Sequence, residues 1–250
     1  MKIVAVIPAY NAGKTLEQTL SAIPPGAVDE IIVVDDGSRD ETLEIARRHG
    51  VIILTHPTNL GYGAAQKTGY AEAIRRGADV AVMVHADFQY DPTLVPSIIR
   101  PVVEGRADAC FGSRMRNKRD ALRGGMPLWR FVPNVFLTWI EESVFRLHLS
   151  EYHTGYRAYS RAFLQRIPFE KNSDNYVFDT EMFAELALGR FQTAEIAIPT
   201  RYFREASSPN FRKSVQYGLS TLVVLGKFIL HRLGIITVPQ FVIRPAREVL

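Results

Sequence analysis

The chain has very little cysteine. Cys110 is the single cysteine among 250 residues, so no internal disulfide can form. It lies in the apolar stretch ACFG, where we expect it to be buried as a small hydrophobic side chain. This usage fits a reducing, cytoplasmic environment. The first residues, MKIVAVIPAY, enter an apolar strand pattern at once, and no signal peptide is expected.

Long apolar runs are also missing. A helix needs ~20 apolar residues to cross a bilayer. The nearest candidates are the uncharged segments 214–226 and 233–243, which Lys227, His231 and Arg232 separate. Residues 214–250 are therefore predicted to form an apolar helical tail that lies on a membrane surface or buries a dimer interface.

The chain shows no internal repeat, and its charge is only mildly basic. The sequence has 30 Lys and Arg residues and 26 Asp and Glu residues, which gives a formal charge of +4. Phosphates and anionic lipid headgroups attract such an excess as well as nucleic acid does, and we expect no nucleic-acid partner. With 47% hydrophobic residues, the chain can bury one large core.

Short apolar strands alternate with amphipathic helical patterns in the first half. This alternation predicts an α/β fold with a mostly parallel, Rossmann-like sheet covered by helices on both faces. Ligands of such sheets bind beyond the carboxyl ends of the strands. The loops PAYN, DDGS, HADFQ and GSR should therefore meet in one crevice. The predicted strands are Ile3–Ile7, Ile31–Val34, Val51–Leu54, Val80–Val84 and Ala109–Gly112.

The sequence changes character after Arg114. Residues 114–130 hold six positive charges against the single acid Asp120. A long helix is predicted over 128–147, a helix over 178–188 and a strand over 194–199. For the two tryptophans of the long helix, Trp129 and Trp139, core packing is the default and a membrane-interface face is the alternative.

The loop after the second strand carries two carboxylates. In VVDDGSRDET, Ser38 or Asp40 can cap the following helix, while Asp35 and Asp36 can accept hydrogen bonds from a base or ribose. The glycines of NLGYGAAQKTGY match no phosphate-binding pattern and are a weak signal, although Gly61 would let backbone approach a ligand closely.

The segment HADFQYDP predicts a metal site. His85, Asp87 and Gln89 alternate, and on extended backbone they would point the same way. Imidazole suits Mn²⁺ better than Mg²⁺. In the alternative interpretation Asp87 binds alone and His85 packs nearby. Asp91 before Pro92 is predicted to cap the next helix.

Taken together, IPAYN, VVDDGSRDET, NLGYGAA, HADFQYDP and GSR resemble the inverting glycosyltransferases of family 2. The dolichol-phosphate mannose synthase and polyprenyl-phosphate glycosyltransferase branch is the most similar. The resemblance covers residues 1 to about 211. It implies a GT-A domain over 1–213, with a nucleotide-sugar half to about 114 and an acceptor half from about 115.

The resemblance also implies partners and chemistry. The donor would be a nucleoside-diphosphate sugar, the cofactor Mn²⁺ or Mg²⁺, and the acceptor a polyprenyl phosphate or another cell-envelope glycan or lipid. Transfer would invert the anomeric carbon by direct displacement. We expect a cytoplasmic protein, peripheral on the inner face of the membrane, and a homo-oligomer is compatible with the tail.

Residue roles follow from the same comparison. The predicted nucleotide-binding residues are Pro8, Ala9, Tyr10, Asp35, Asp36, Gly61, Ala86 and Asp87. Asp87 and Gln89, with His85, would hold the metal, and Arg114 would meet phosphate. The predicted acceptor-binding residues are Arg130, Tyr156, Arg157, Arg201, Arg204, Ser207 and Ser208.

Three departures from the family leave the metal and the donor open: Ala12 replaces a glutamate, His85 an acid, and Tyr62 a lysine. A hydroxyl acceptor would need a base, for which Asp179 and Glu181 are the candidates; the alternative is that each only complements a helix dipole. The rival functions are a nucleotidyltransferase and a non-catalytic sugar-nucleotide-binding protein.

Overall fold

The computed structural model describes residues 1–199 and 211–245, without the side chains of Asp120 and residues 211–213. Seven strands and nine α-helices lie within these ranges. The strands are β1 (Ile3–Ala9), β2 (Glu30–Asp35), β3 (Ile52–Thr55), β4 (Val80–Met83), β5 (Ala109–Ser113), β6 (Arg157–Ser160) and β7 (Thr193–Ala197). The helices are α1 (Leu16–Ala22), α2 (Thr42–Arg48), α3 (Tyr62–Arg75), α4 (Val95–Val103), α5 (Lys118–Arg123), α6 (Leu128–Phe145), α7 (Arg161–Arg166), α8 (Phe178–Gly189) and α9 (Phe211–Arg232).

The strands form one mostly parallel sheet in the order β3-β2-β1-β4-β6-β5-β7. The predicted α/β class and all five strands of the first half are confirmed. β6 was not predicted, and it lies antiparallel between β4 and β5. Its four residues, Arg157–Ser160, begin with a charged side chain and are too short for a clear strand pattern.

Side chains of successive strand residues pack into two different cores. Val4 and Val6 of β1 belong to the core shared with α8 and α9, while Ala5 and Ile7 belong to the core shared with α1 and α4. This alternation follows from the two-residue period of a strand. The sheet is thereby covered on both faces, as the continuous apolar strands predict. Cys110 is fully buried, and burial raises its pKa to about 12.

Helix α9 is part of this core. It begins at Phe211, three residues before the expected tail, and Val224, Leu225 and Phe228 pack with α8 residues. The predicted division at residue 213/214 falls within this helix and stays a prediction. Among the described helices, none combines the length and the apolar character required to cross a bilayer.

The tryptophans of α6 are outside the core. Trp129 is 48% and Trp139 66% exposed, which corrects the expectation of core packing. The helix predicted over 128–147 is confirmed as α6. The sequence did not show which face of this helix would be covered, because apolar side chains occur on most of its circumference.

Candidate active site

One cleft opens where the predicted loops meet. Its lining includes Tyr10 after β1, Asp36 after β2, Asp87 after β4 and Arg114 after β5. The predicted convergence of these four loops is therefore confirmed. The cleft volume of about 1430 Å³ exceeds the ~300–1,000 Å³ typical of a site for one small ligand. It has room for two substrates.

The segment after β4 turns instead of continuing as a strand. β4 ends at Met83, Phe88 has a φ of 59°, and the backbone N–H of Gln89 donates to Oδ1 of Asp87 at 3.0 Å. The expectation that His85, Asp87 and Gln89 point one way on extended backbone is thus wrong, since alternation holds only along a strand. All three still line the cleft.

His85 packs against the wall of the cleft. Its Nε2 lies 3.3 Å from the hydroxyl of Tyr62. A Cβ on Gly155 would come within 2.0 Å of the same nitrogen, so only glycine fits there. Burial lowers the pKa of His85, although the carboxylates of Asp87 and Asp179 act in the opposite direction. This environment matches the alternative in which Asp87 binds an ion and His85 packs beside it.

A divalent ion fits this site only with help from a substrate. Within the described ranges, no group of three or more His, Cys, Asp or Glu side chains is placed to hold a metal. Mg²⁺ and Mn²⁺ are commonly held by one or two carboxylates together with substrate phosphates. Asp87 and Gln89 on the cleft surface fit an ion whose shell a diphosphate completes.

Asp36 borders the cleft and holds residues 60–63, which we call the glycine loop. Its carboxylate accepts hydrogen bonds from the backbone N–H groups of Leu60 and Gly61, both at 2.9 Å, and lies 2.6 Å from Nδ1 of His56. Asp35 is buried outside the cleft and accepts from the N–H of Ser38 at 3.3 Å. Of the two predicted base-reading acids, the structure places only Asp36 at the cleft.

The glycine loop packs against protein backbone. Gly61 has a φ of 113°, and a Cβ there would lie 2.4 Å from the carbonyl oxygen of Asp174. The N–H of Gly63 donates to that same oxygen at 2.7 Å. The glycines thus allow residues 61–63 to contact residues 173–175, which precede α8. Gly61 also lines the cleft.

Arg114 lines the cleft as half of an ion pair. Its guanidinium binds the carboxylate of Glu151, which is fully buried, and its backbone N–H donates to the same carboxylate at 2.7 Å. Burial alone would raise the pKa of Glu151, but the charge and hydrogen bonds of Arg114 outweigh it and the pKa is lowered. Asn134 donates to Glu151 at 3.0 Å. The pair fixes the position of the guanidinium.

Asp179 also lines the cleft with its carboxylate engaged. Oδ2 lies 3.0 Å from Nη2 of Arg157 and accepts from Tyr62 at 3.3 Å, while Oδ1 accepts from Gln66 at 3.1 Å. Arg157 is 1% exposed, so the predicted direct contact with an acceptor is corrected. Its role is to neutralise Asp179 beneath the cleft.

Two further predictions are corrected by the structure. Glu181 is buried away from the cleft, where Ser173 N–H and Gln240 donate to it at 2.6 and 2.7 Å. Two residues along a helix turn about 200°, so Asp179 and Glu181 cannot share a face. Tyr156 is fully buried and donates to the carbonyl of Asp91 at 3.1 Å.

The remaining site predictions have mixed outcomes. Asp91 accepts from Thr93 N–H at 3.1 Å, and its predicted role as a cap is confirmed. Arg130 lines the cleft with its guanidinium 4.6 Å from the Trp129 ring. Pro8, Ala9 and Ala86 also line the cleft. The predicted acceptor residues outside the described residues are Arg201, Arg204, Ser207 and Ser208.

Sequence reasoning missed several side chains of this site. Helices α6 and α9 contribute apolar lining from Phe136, Leu137 and Val215 and polar lining from Tyr217. His153 lines the cleft from the loop before β6. Glu151 and His153 within SEYHTGYR were visible in the sequence, but no local pattern shows that they contact Arg114 and Tyr217.

The fold and the chain both match glycosyltransferases. A crystal structure of glucosyl-3-phosphoglycerate synthase from Mycobacterium tuberculosis, in complex with Mn²⁺, UDP-glucose and phosphoglyceric acid, superposes with a TM-score of 0.66 at 20% identity. It covers 90% of this chain and 80% of that one. The sheet with its cleft is thus a GT-A fold.

Two relatives cover most of the chain. An uncharacterized protein of Methanocaldococcus jannaschii is 31% identical over 201 residues, which are 80% of this chain and 82% of that protein. A UDP-N-acetylglucosamine–dolichyl-phosphate N-acetylglucosaminyltransferase of Methanococcus voltae is 28% identical over 217 residues, 80% of this chain and 86% of the relative.

The model of the family named glycosyl transferase family 2 matches residues 4–168. The chain belongs to this family, and it is a glycosyltransferase that uses a nucleotide sugar. This membership removes the two rival interpretations, a nucleotidyltransferase and a non-catalytic binding protein.

Proposed function

We propose that the protein transfers a sugar from a nucleoside-diphosphate donor to a polyprenyl phosphate at a membrane surface, with inversion of the anomeric carbon. The observation that carries this proposal is the composition of the cleft. Strand-end loops with Asp87 form one part of its lining, and apolar side chains of α6 and α9 form another. A polar donor and a lipid acceptor require these two kinds of surface.

The donor side is built from the predicted nucleotide-binding loops. Tyr10, which is exposed, and Asp36, which accepts from the backbone N–H of Gly61, line the same cleft as Asp87. The Mycobacterium tuberculosis structure holds Mn²⁺ with UDP-glucose, which supports a nucleotide-sugar and divalent-ion site in the same fold.

Asp87 and Gln89 would hold a divalent ion. When bound, such an ion neutralises charge on the departing nucleoside diphosphate. The chain's own residues supply a second source of positive charge, since Arg114 is fixed at the cleft by Glu151. A guanidinium held in place in this way stabilises developing negative charge without reorganisation.

The acceptor side supports a lipid phosphate. Trp129, Phe136, Leu137 and Val215 line the cleft with apolar surface, and the Methanococcus voltae relative is named for transfer to dolichyl phosphate. Asp179, the candidate base, is engaged by three partners. An acceptor that is already anionic needs no such base.

The reaction is then a single displacement. An oxygen of the acceptor phosphate forms a bond to the anomeric carbon while the bond from that carbon to the donor's β-phosphate oxygen breaks. The nucleoside diphosphate leaves with the electron pair of that bond. Attack opposite to the leaving group inverts the configuration.

Exposed apolar side chains beside the cleft support a membrane surface. Leu128, Trp129, Val132, Phe136 and Trp139 recur at helical spacing on α6, and we call this group the α6 face. The exposed side chains of Arg116, Lys118, Arg119 and Arg123 precede it in the chain. Apolar side chains next to basic ones are typical of a surface that binds anionic lipid.

The experiment is a donor and acceptor panel. The protein is incubated with UDP- and GDP-linked sugars, Mn²⁺ or Mg²⁺, and farnesyl phosphate, with farnesol as the matched acceptor lacking phosphate. We expect nucleoside diphosphate and a glycosyl phosphate ester only with farnesyl phosphate. Transfer to farnesol at a similar rate, or no transfer to any prenyl phosphate, would refute the proposal.

A further inference from the structure

Three polar side chains, Glu141, His153 and Tyr217, lie in a row between α6 and α9 at the cleft. Glu141 on α6 is fully buried, and its Oε2 lies 3.1 Å from Nε2 of His153. Nδ1 of His153 lies 3.1 Å from the hydroxyl oxygen of Tyr217 on α9. His153 and Tyr217 line the cleft, whereas Glu141 lies behind them. The three side chains thus connect a buried carboxylate to a tyrosine that lines the cleft.

The carboxylate fixes which nitrogen of His153 carries a proton. Within the described ranges, the two oxygens of Glu141 and Nε2 of His153 meet no hydrogen-bond donor or acceptor in good geometry, so the 3.1 Å approach of Nε2 to Oε2 is the contact that can compensate the buried carboxylate. A buried carboxylate without a partner is strongly unfavourable. Nε2 of His153 must therefore be protonated and face Glu141, which leaves Nδ1 for Tyr217.

The remaining nitrogen sets the direction of the Tyr217 hydroxyl. With Nε2 protonated, Nδ1 can accept the proton of the Tyr217 hydroxyl, and the same hydroxyl can instead turn toward an oxygen acceptor. Among the described residues, the other partner of the Tyr217 hydroxyl is Oγ1 of Thr180 at 3.4 Å, which is long for a hydrogen bond between oxygens.

An anionic oxygen in the cleft would take that hydroxyl proton in a shorter, charge-assisted hydrogen bond. Positive charge is close, because Nη2 of Arg114 donates to the carbonyl oxygen of His153 at 2.7 Å. Glu141, His153 and Tyr217 are therefore arranged to bind an anion through Tyr217.

We propose that Tyr217 binds a phosphate oxygen of the acceptor, and that Glu141 and His153 are positioning residues that act through it. This inference rests on the proposed function, since it takes the acceptor to be a lipid phosphate. It adds one residue that contacts the acceptor and two that orient it. None of the three was predicted from the sequence.

The neighbouring residues offer a matched control. Glu142, the next residue of α6, accepts a hydrogen bond from the hydroxyl of Tyr152 at 2.8 Å. Tyr152 is fully buried, and neither residue lines the cleft. Tyr152→Phe and Glu142→Gln therefore remove the same chemical groups from the same region without touching the cleft.

The test measures binding of farnesyl phosphate and of farnesol by titration calorimetry. Tyr217→Phe should weaken farnesyl phosphate binding about tenfold, the usual loss for one hydrogen bond to a charged group. Glu141→Gln should weaken it in the same direction. Farnesol binding should not change. The acceptor KM should rise by a similar factor while kcat stays within about twofold, a split that a loss of structure would not produce.

The controls Tyr152→Phe and Glu142→Gln should leave farnesyl phosphate binding within about twofold. Unchanged binding of farnesyl phosphate by folded Tyr217→Phe would overturn the inference. So would an equal loss of farnesol binding, which would indicate a packing defect. If the wild-type protein itself neither binds nor glycosylates a prenyl phosphate, the proposed function fails, and that result is read from the wild type alone.

Discussion

Arg157 and Asp179 form a buried ion pair beneath the cleft, with Nη2 of the arginine 3.0 Å from Oδ2 of the aspartate. The two residues come from β6 and α8. The Arg157 guanidinium also lies 4.9 Å from the ring of Phe183 and donates to the carbonyl of Thr154 at 2.8 Å. Burial opposes the charged guanidinium, but Asp179 more than compensates and raises the pKa of Arg157.

Breaking this pair should be costly. Arg157→Met leaves the carboxylate of Asp179 uncompensated next to the core and should lower the free energy of unfolding by about 3–5 kcal/mol. Urea denaturation followed by circular dichroism measures this. The control is Arg48→Met, which breaks the exposed pair with Glu17 and should cost about 1 kcal/mol or less. Equal effects of the two substitutions would contradict the structural role of Arg157.

Asp87 should be required for the divalent ion. Asp87→Ala should lower metal-dependent transfer about a hundredfold or more, because the ion's charge stabilisation is worth several kcal/mol. Mn²⁺ binding in the presence of nucleoside diphosphate, followed by electron paramagnetic resonance, is the second readout. Asp91→Ala, which removes a helix cap, should cost about 1 kcal/mol of stability and retain Mn²⁺ binding. Wild-type Mn²⁺ binding by Asp87→Ala would remove the metal assignment.

Glu185 should make stability depend on pH. The residue is fully buried on α8, and burial raises its pKa well above the ordinary value of 4.5. The folded protein therefore holds a proton that the unfolded chain releases above pH 4.5. This contribution is fully present below pH 4.5 and is lost as the pH rises toward the folded-state pKa.

Glu185→Gln removes this titration, so the variant should lose less stability than the wild type between pH 4.5 and 8. Unfolding midpoints across that range give the difference. The exposed Glu44→Gln on α2 is the control and should follow the wild-type curve. If the unfolding midpoints of Glu185→Gln and of the wild type change with pH in the same way, Glu185 ionises in the folded protein as it does in the unfolded chain.

Tryptophan emission should report membrane binding directly. The chain has two tryptophans, and both lie on the α6 face. Vesicles containing anionic phospholipid should shift the emission to shorter wavelength, and brominated lipid should quench it, because the indole rings enter the interface. Neutral vesicles should produce a weaker shift.

The basic residues should account for that preference. Arg119→Gln with Arg123→Gln should weaken binding to anionic vesicles about thirtyfold, at ~1 kcal/mol for each charge. Arg47→Gln with Arg100→Gln makes the same change of net charge on exposed residues of α2 and α4 and should have a much smaller effect. Equal weakening by both pairs would indicate a general charge effect without a defined surface.

Much of the framework could be predicted from the sequence. Apolar strands that alternate with amphipathic helices specify a covered parallel sheet, and a parallel sheet gathers its loops at one edge. Asp87 and Tyr10 were therefore placed correctly at the cleft. β6 was missed because a short strand that begins with Arg157 lacks the apolar pattern on which the prediction depends.

What the sequence by itself determined was local: which segments are strands or helices, and which loops follow the strands, because side-chain period and turn residues act over a few positions. Only the tertiary structure decided that Asp36 faces the cleft and Asp35 does not, and that Glu151 holds Arg114. It also decided that Trp139 is exposed. These outcomes depend on contacts between residues far apart in the chain, and no local pattern carries that information.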